Sequence, residues 1–91
     1  MAIHTEANAL STTLELIHTA TNGHTGAPEG LLIYNADAVI TIYVGGADVS
    51  TANGIPVTAL ATLALDLISG EKVYAVAASG TPSIRILHTR N

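Results

Sequence analysis

Short runs of aliphatic and β-branched residues alternate with Gly, Asn, Asp and Pro along the chain. No window repeats apolar residues at the 3.6-residue spacing of an amphipathic helix, so we expect little helix. Threonine, valine and isoleucine are frequent, and their branched side chains fit the pleated surface of a sheet. The pattern predicts about eight strands, of which the clearest cover residues 3–10, 12–20, 31–35, 39–44, 60–67, 72–78 and 83–89.

Within three of these strands the alternation also predicts which side chains share a face. We expect Ile40, Ile42 and Val44 to face the core, which leaves Tyr43 on the opposite side. In the strand 12–20, one face carries Leu14, Leu16 and His18 and the other carries Glu15 and Ile17. In the strand 39–44, one face carries Ile40, Ile42 and Val44 and the other carries Val39, Thr41 and Tyr43. In the strand 60–67, one face carries Leu63, Leu65 and Leu67.

Clusters of turn-forming residues separate the strands. The segment 21–30 reads TNGHTGAPEG and predicts an exposed loop. Residues 36–38 and 79–82 predict the tight turns of two hairpins, and residues 48–56 predict a connector that turns at Asn53-Gly54. Short, evenly spaced strands are typical of antiparallel sandwiches and small barrels. We therefore expect one all-β domain over residues 1–91, an antiparallel β-sandwich or small barrel for which a jelly-roll arrangement is one option.

The composition indicates a surface that is covered by partners. Hydrophobic residues make up 48% of the 91-residue chain and charged residues only 11%, against about 25% charged in an average globular protein. The chain has no cysteine, so neither a disulfide nor a thiolate metal site stabilises it. Association with other chains is the remaining route to stability for so short a domain.

Charge and hydropathy exclude two classes of partner. The net charge is −4 and the only bases are Lys72, Arg85 and Arg90, whereas nucleic-acid binding relies on clusters of Lys and Arg. The apolar stretches are far shorter than the roughly 18–20 residues of a membrane-spanning helix. The first residues, MAIHTEAN, lack the basic and apolar regions of a signal peptide. We expect no nucleic acid and no membrane as partner, and synthesis in the cytoplasm.

The chain has four histidines but no pattern that predicts a catalytic or metal site. His4, His18, His24 and His88 lack the short pairings of zinc motifs. The segment that starts at Asp48 resembles a calcium loop, but alanines stand at its fifth and twelfth positions, which require oxygen ligands. The G-x-S-x-G elbow of hydrolases is absent. We predict no enzyme activity, no cofactor and no metal; a hydrolase site assembled only by folding is the remaining catalytic alternative.

Carbohydrate binding has little support in the sequence. Sites for sugars rely on exposed aromatic walls, and the chain has no Phe or Trp and only Tyr34, Tyr43 and Tyr74. Tyr43 is the residue to consider, because it lies on the side of its strand opposite to Ile42. The simpler interpretation is that Tyr43 covers the second face of a sheet that is buried on both sides.

Five segments follow one another between residues 39 and 90: a strand ending in YVGG, the connector DVSTANG, the aliphatic strand LALDL, the run YAVAASGT and the closing strand SIRILHT. This order resembles a pattern that recurs among small structural proteins of tailed bacteriophage virions. The resemblance implies a virion component, and the compact form implies a head decoration (cement) protein that binds the major capsid protein on the capsid exterior and stabilises the head. Similar segments also resemble tail and fibre proteins, so an adhesion module that binds a host surface glycan is the alternative.

A cement protein at the symmetry axes of a capsid is expected to form a homodimer or homotrimer, whose shared interface supplies additional burial. We expect Met1 and Ile3, within residues 1–10, to belong to a docking or exchanged arm, because this apolar segment precedes the part that the resemblance covers. A second candidate interface consists of Val39, Tyr43 and the turn Ile55-Pro56-Val57.

Overall fold

The computed structural model describes residues 2–20, 29–67 and 70–90. Within these ranges the chain forms strands and no helix, which confirms the all-β prediction. Residues 21–28 of the predicted loop 21–30 lie outside the described residues, and its last two residues begin a strand. The eight strands are β1 (Ala2–Ala9), β2 (Glu15–Thr19), β3 (Glu29–Asn35), β4 (Ile42–Gly45), β5 (Ile55–Val57), β6 (Thr62–Leu67), β7 (Lys72–Ala77) and β8 (Ser83–Arg90).

The strands form two four-stranded antiparallel sheets, with the order β1-β8-β3-β6 in sheet A and β2-β7-β4-β5 in sheet B. The pairs β1·β8, β2·β7, β3·β6 and β4·β5 are those of one long hairpin that turns between β4 and β5. The pairs β3·β8 and β4·β7 roll this hairpin over itself into the two sheets. This arrangement is a jelly-roll sandwich, so the predicted fold class is confirmed.

Two predicted hairpins are wrong. The strands on either side of residues 36–38 are β3 in sheet A and β4 in sheet B, and the strands around the turn at 79–82 are β7 in sheet B and β8 in sheet A. Each short connection therefore crosses from one sheet to the other instead of joining hydrogen-bonded neighbours. A connection between the two sheets and a hairpin within one sheet use the same turn residues between two strands with alternating patterns. The local sequence therefore does not distinguish these two kinds of connection.

The predicted connector at 48–56 contains the start of a strand. β5 is the edge strand of sheet B and pairs with β4, so that β4 and β5 form a hairpin. The sequence predicts a turn in this segment because Asn53-Gly54 is a typical turn pair. Pro56 is tolerated here because an edge strand has one side without a ladder partner.

The inward faces of the two sheets enclose the hydrophobic core. The predicted face of β4 is confirmed, because Ile42 and Val44 are buried and Ile40 packs against the core. The predicted face of β6 is confirmed as well, since all three of its leucines contact the core. The most enclosed core residues are Leu10, Ala20, Ile33, Ile42, Ala75, Ala77, Ile84 and Ile86.

β2 departs from the predicted alternation. Leu16 pairs with Tyr74 and His18 pairs with Val73, so two steps along β2 match one step along β7. This β-bulge makes Ile17 the extra residue. Ile17 and His18 are consequently both buried while Leu16 is exposed, and the prediction that His18 shares a face with Leu16 is wrong.

Candidate protein-binding surface

The outer surface of sheet B is an apolar face built from all four of its strands. Alternate residues of β7 belong to the core, which leaves Lys72, Tyr74 and Val76 on the outer side. The ladders place Leu16 beside Tyr74, and they place Tyr43 between Val76 and Pro56. We define the sheet B face by these side chains: Leu16, Tyr43, Pro56, Tyr74 and Val76.

The sheet B face carries no charge on any of these side chains. Leu16 is 46% exposed, Pro56 is exposed, and Tyr43 and Tyr74 are half-buried. Val76 is only 6% exposed and lies outside the core cluster. The ladder positions make the five residues neighbours on this face. Contiguous apolar surface of this kind is characteristic of docking sites.

Tyr43 and Tyr74 are diagonal neighbours on this face. Tyr43 is opposite Val76 while Gly45 is opposite Tyr74, so the two tyrosines lie two residue pairs apart on adjacent strands, the diagonal position on one face. Gly45 has no side chain to cover Tyr74 from that side. Each ring combines a large apolar body with a polar hydroxyl, a combination that is enriched at interfaces.

The outer surface of sheet A is less uniform. Leu32 and Leu87 lie side by side on its two central strands. Arg85 follows on the same side of β8, and Asp66 lies on the same side of β6; both are exposed. Charged side chains of both signs thus flank the apolar residues here. Lys72 lies beside the sheet B face at the start of β7, but that face joins five uncharged side chains from four strands and is the stronger candidate for docking.

The structure brings together three of the predicted interface residues. Tyr43 and Pro56 are direct partners in the β4·β5 ladder, and Ile55 precedes Pro56 on the edge strand with 56% of its surface exposed. Val57 is only 2% exposed because its side chain faces inward beside Ile42. Val57 belongs to the core and offers no surface to a partner.

The other predicted interface residues lie apart from this group. Val39 is 83% exposed in the connection from sheet A to sheet B. Ile3 is part of β1, at the edge of sheet A, where its main chain pairs with that of Thr89. Met1 lies outside the described residues. An edge strand can form the same ladder with a second copy, so the docking or exchange of residues 1–10 stays a prediction.

Leu16, Tyr74 and Val76 are not among the interface residues predicted from the sequence. A signal for Tyr74 existed, because it alternates with two apolar residues of β7. No sequence signal indicates that Leu16 faces outward while His18 faces inward, because the β-bulge between them depends on the pairing of β2 with β7.

Buried polar side chains lie on the inner side of the sandwich. His18 from sheet B and His88 from sheet A contact each other, with ring centroids 4.5 Å apart. Within the described residues, no group of three or more His, Cys, Asp or Glu side chains is arranged to hold a metal ion. In the former calcium-loop candidate, Oδ1 of Asn53 accepts a hydrogen bond from the Ser50 N–H (2.7 Å) and Nδ2 donates to the Asp48 carbonyl (3.2 Å), which stabilises the loop itself.

No protein-family model matches the chain, and no curated protein matches it either. The described part of the chain contains no helix that is long and apolar enough to cross a membrane.

Proposed function

We propose that the protein is a structural protein of a phage virion, a capsid decoration (cement) protein that binds the major capsid protein and stabilises the head. The apolar sheet B face is the observation that supports this most directly, because it offers Leu16, Tyr43 and Tyr74 to a partner. Aromatic and aliphatic side chains dominate the centres of protein interfaces, where charged residues are depleted. The resemblance of residues 39–90 to phage structural proteins supports the choice of partner. The jelly roll, which is common in viral capsid proteins, adds an analogy at the level of the fold.

In this proposal the protein acts by adding contact area across neighbouring capsid subunits. The sandwich holds the sheet B face as one surface, so binding orders little additional chain. The action requires no nucleophile and no cofactor. A homodimer or homotrimer would present several copies of the face to the capsid exterior, and the raised effective concentration would strengthen attachment.

Two charge substitutions test the surface. Tyr43→Glu and Tyr74→Glu each place a carboxylate on the sheet B face without altering the core. We expect each to weaken binding to purified heads that lack the decoration protein by roughly tenfold or more, measured by cosedimentation. Thr62→Glu is the matched control, because it adds the same charge at an exposed position on β6 of sheet A. Circular dichroism verifies that all three variants are folded.

Unchanged binding of both tyrosine variants would exclude the sheet B face as the docking surface.

The location of the protein on the phage particle needs a separate measurement. Antibody labelling of purified virions in the electron microscope should decorate the head. Label confined to the tail would reject the capsid assignment and favour the tail or fibre alternative.

The alternative function is a module that binds a host surface glycan. Its specific support is the diagonal placement of Tyr43 and Tyr74 on the sheet B face. Sugars would stack on the aromatic faces, whereas a capsid protein would also use the apolar area around them. Tyr43→Leu and Tyr74→Leu keep apolar area but remove the rings. A glycan module would lose binding on a glycan array with either change, and an array without signal for the unmodified protein would reject it.

A further inference from the structure

A cavity of about 190 Å³ lies between the two sheets beside the β4–β5 hairpin. Sheet B contributes Val44 and Val73 to its wall, and sheet A contributes Leu63 and Leu65 from its edge strand β6. Both leucines are only half-buried, although they pack against the core. The exposed Ile55 lies at the cavity too, next to Pro56 of the sheet B face. The cavity is thus an apolar site on the inner side of sheet B, and its residue Ile55 is the chain neighbour of Pro56 on the edge strand β5.

The size of the cavity selects the kind of occupant. Sites for small-molecule ligands usually measure about 300–1,000 Å³, which is larger than this one. A cavity of about 150 Å³ accommodates a benzene molecule, so the space between Val44, Val73 and the β6 leucines suits a single large aliphatic side chain. Side chains that insert into such pockets are the usual anchors of protein interfaces.

The charge at the cavity indicates which residue of the partner lies next to the inserted aliphatic side chain. Lys72, at the start of β7, contributes the charged group of the cavity, and no carboxylate is among the described residues that line it. The cavity therefore has positive charge within a protein whose net charge is −4. A partner with a carboxylate beside its aliphatic residue complements this arrangement.

We propose that the cavity is a socket for one aliphatic side chain of a partner protein, adjacent in the partner to an acidic residue that pairs with Lys72. The inference rests on the proposed function in taking a protein as the partner. It adds the chemistry of the segment that the partner inserts: a leucine-like residue followed or preceded by Asp or Glu.

Blocked tetrapeptides test the socket. The probes are GLDG, GLNG with the carboxylate neutralised, and GADG with the aliphatic side chain shortened. We expect GLDG to shift the NMR signals of the Leu63, Leu65 and Ile55 methyl groups. GLNG should bind about two- to fivefold more weakly, as the loss of an exposed ion pair predicts, and GADG roughly tenfold or more weakly.

Variants of the exposed Lys72 test whether its ammonium group pairs with the carboxylate of the peptide. Lys72→Gln should bind GLDG and GLNG equally, whereas the matched control Lys72→Arg should keep the preference for GLDG. Methyl signals that do not respond to GLDG, or a preference that survives in Lys72→Gln, would overturn the proposal. If the protein binds the peptide but not the heads, the capsid function is rejected and the socket is retained. If it binds the heads but not the peptide, only the socket is rejected.

Discussion

Asn35 links the two sheets through a side chain that is completely buried. Its Nδ2 donates to the Ile40 carbonyl (2.8 Å) and to the Val57 carbonyl of sheet B (2.9 Å), and its Oδ1 accepts from the Asp37 N–H. Asn35→Ala removes these bonds inside the sandwich and should lower the free energy of unfolding by about 3 kcal/mol in urea titrations. Asn53→Ala, which removes an equivalent amide from an exposed loop, should cost about 1 kcal/mol or less. Equal losses would contradict the importance of burial.

Asp37 stabilises the crossing between the sheets through its carboxylate. Its Oδ1 accepts hydrogen bonds from the N–H groups of Ile40 (2.7 Å) and Val39 (2.8 Å), and these bonds hold the pKa of Asp37 below its ordinary value of 3.8. A carboxyl group whose pKa is lower in the folded state stabilises fully above the unfolded pKa, and the effect is lost as the pH falls through that value towards the folded pKa.

Asp37→Asn keeps an oxygen acceptor for the two N–H groups but removes the titration. We expect thermal unfolding of the variant to depend less on pH than that of the unmodified protein between about pH 5 and pH 2. The two curves should converge at the acid end of this range. Parallel curves throughout would show that the carboxylate of Asp37 contributes nothing that depends on its charge.

The β4–β5 hairpin depends on a glycine that is packed against its own strand. A Cβ atom at Gly54 would lie 2.7 Å from Cβ of Tyr43 and 2.7 Å from Cγ2 of Val49. Gly54→Ala should therefore displace the hairpin and lower the free energy of unfolding by about 2 kcal/mol. At Gly46, in the same connection, the nearest atom to a new Cβ is 3.6 Å away, so Gly46→Ala should change stability by less than about 0.5 kcal/mol. Thermal melts of the two variants would coincide if the close contacts were unimportant.

The strands and their inward faces could be predicted because alternation is a local signal, as Ile42 and Val44 demonstrate. The links between strands could not. The turn at 36–38 has the residues of a hairpin, yet the buried Asn35 beside it bonds to the opposite sheet. β5 has three residues including Pro56, so its sequence is that of a turn. The bulge in β2 exists only in the pairing with β7.

The sheet B face is a property of the whole molecule, since its members come from β2, β4, β5 and β7. The sequence predicts Tyr43 and the turn residues 55–57 together as one interface, whereas it does not predict the β4–β5 hairpin that pairs Tyr43 with Pro56. Leu16 and Tyr74 become neighbours only through a ladder between segments that are far apart in the chain. The register of such a ladder is determined by the complete core and leaves no local pattern.

The closure of the jelly roll by β1 and β8 is the feature that an exchange of residues 1–10 between copies would alter. Thr5 and Leu87 are directly opposed in this ladder, and the chain has no cysteine of its own. Oxidation of the variant T5C/L87C should yield a monomeric disulfide, visible on a non-reducing gel, because the described ladder lies within one chain. The cross-link closes a loop of nearly the whole chain and should raise the free energy of unfolding by about 4 kcal/mol.

In an exchanged dimer the same two cysteines would join two chains, so a covalent dimer formed at low protein concentration would establish exchange and contradict the intramolecular pairing. T5C/T62C is the control, because β1 and β6 are the opposite edges of sheet A. Its cysteines lie three strand spacings of about 4.8 Å apart, beyond the reach of a disulfide. A monomeric cross-link in T5C/L87C but not in T5C/T62C would establish that β1 pairs with β8 of its own chain.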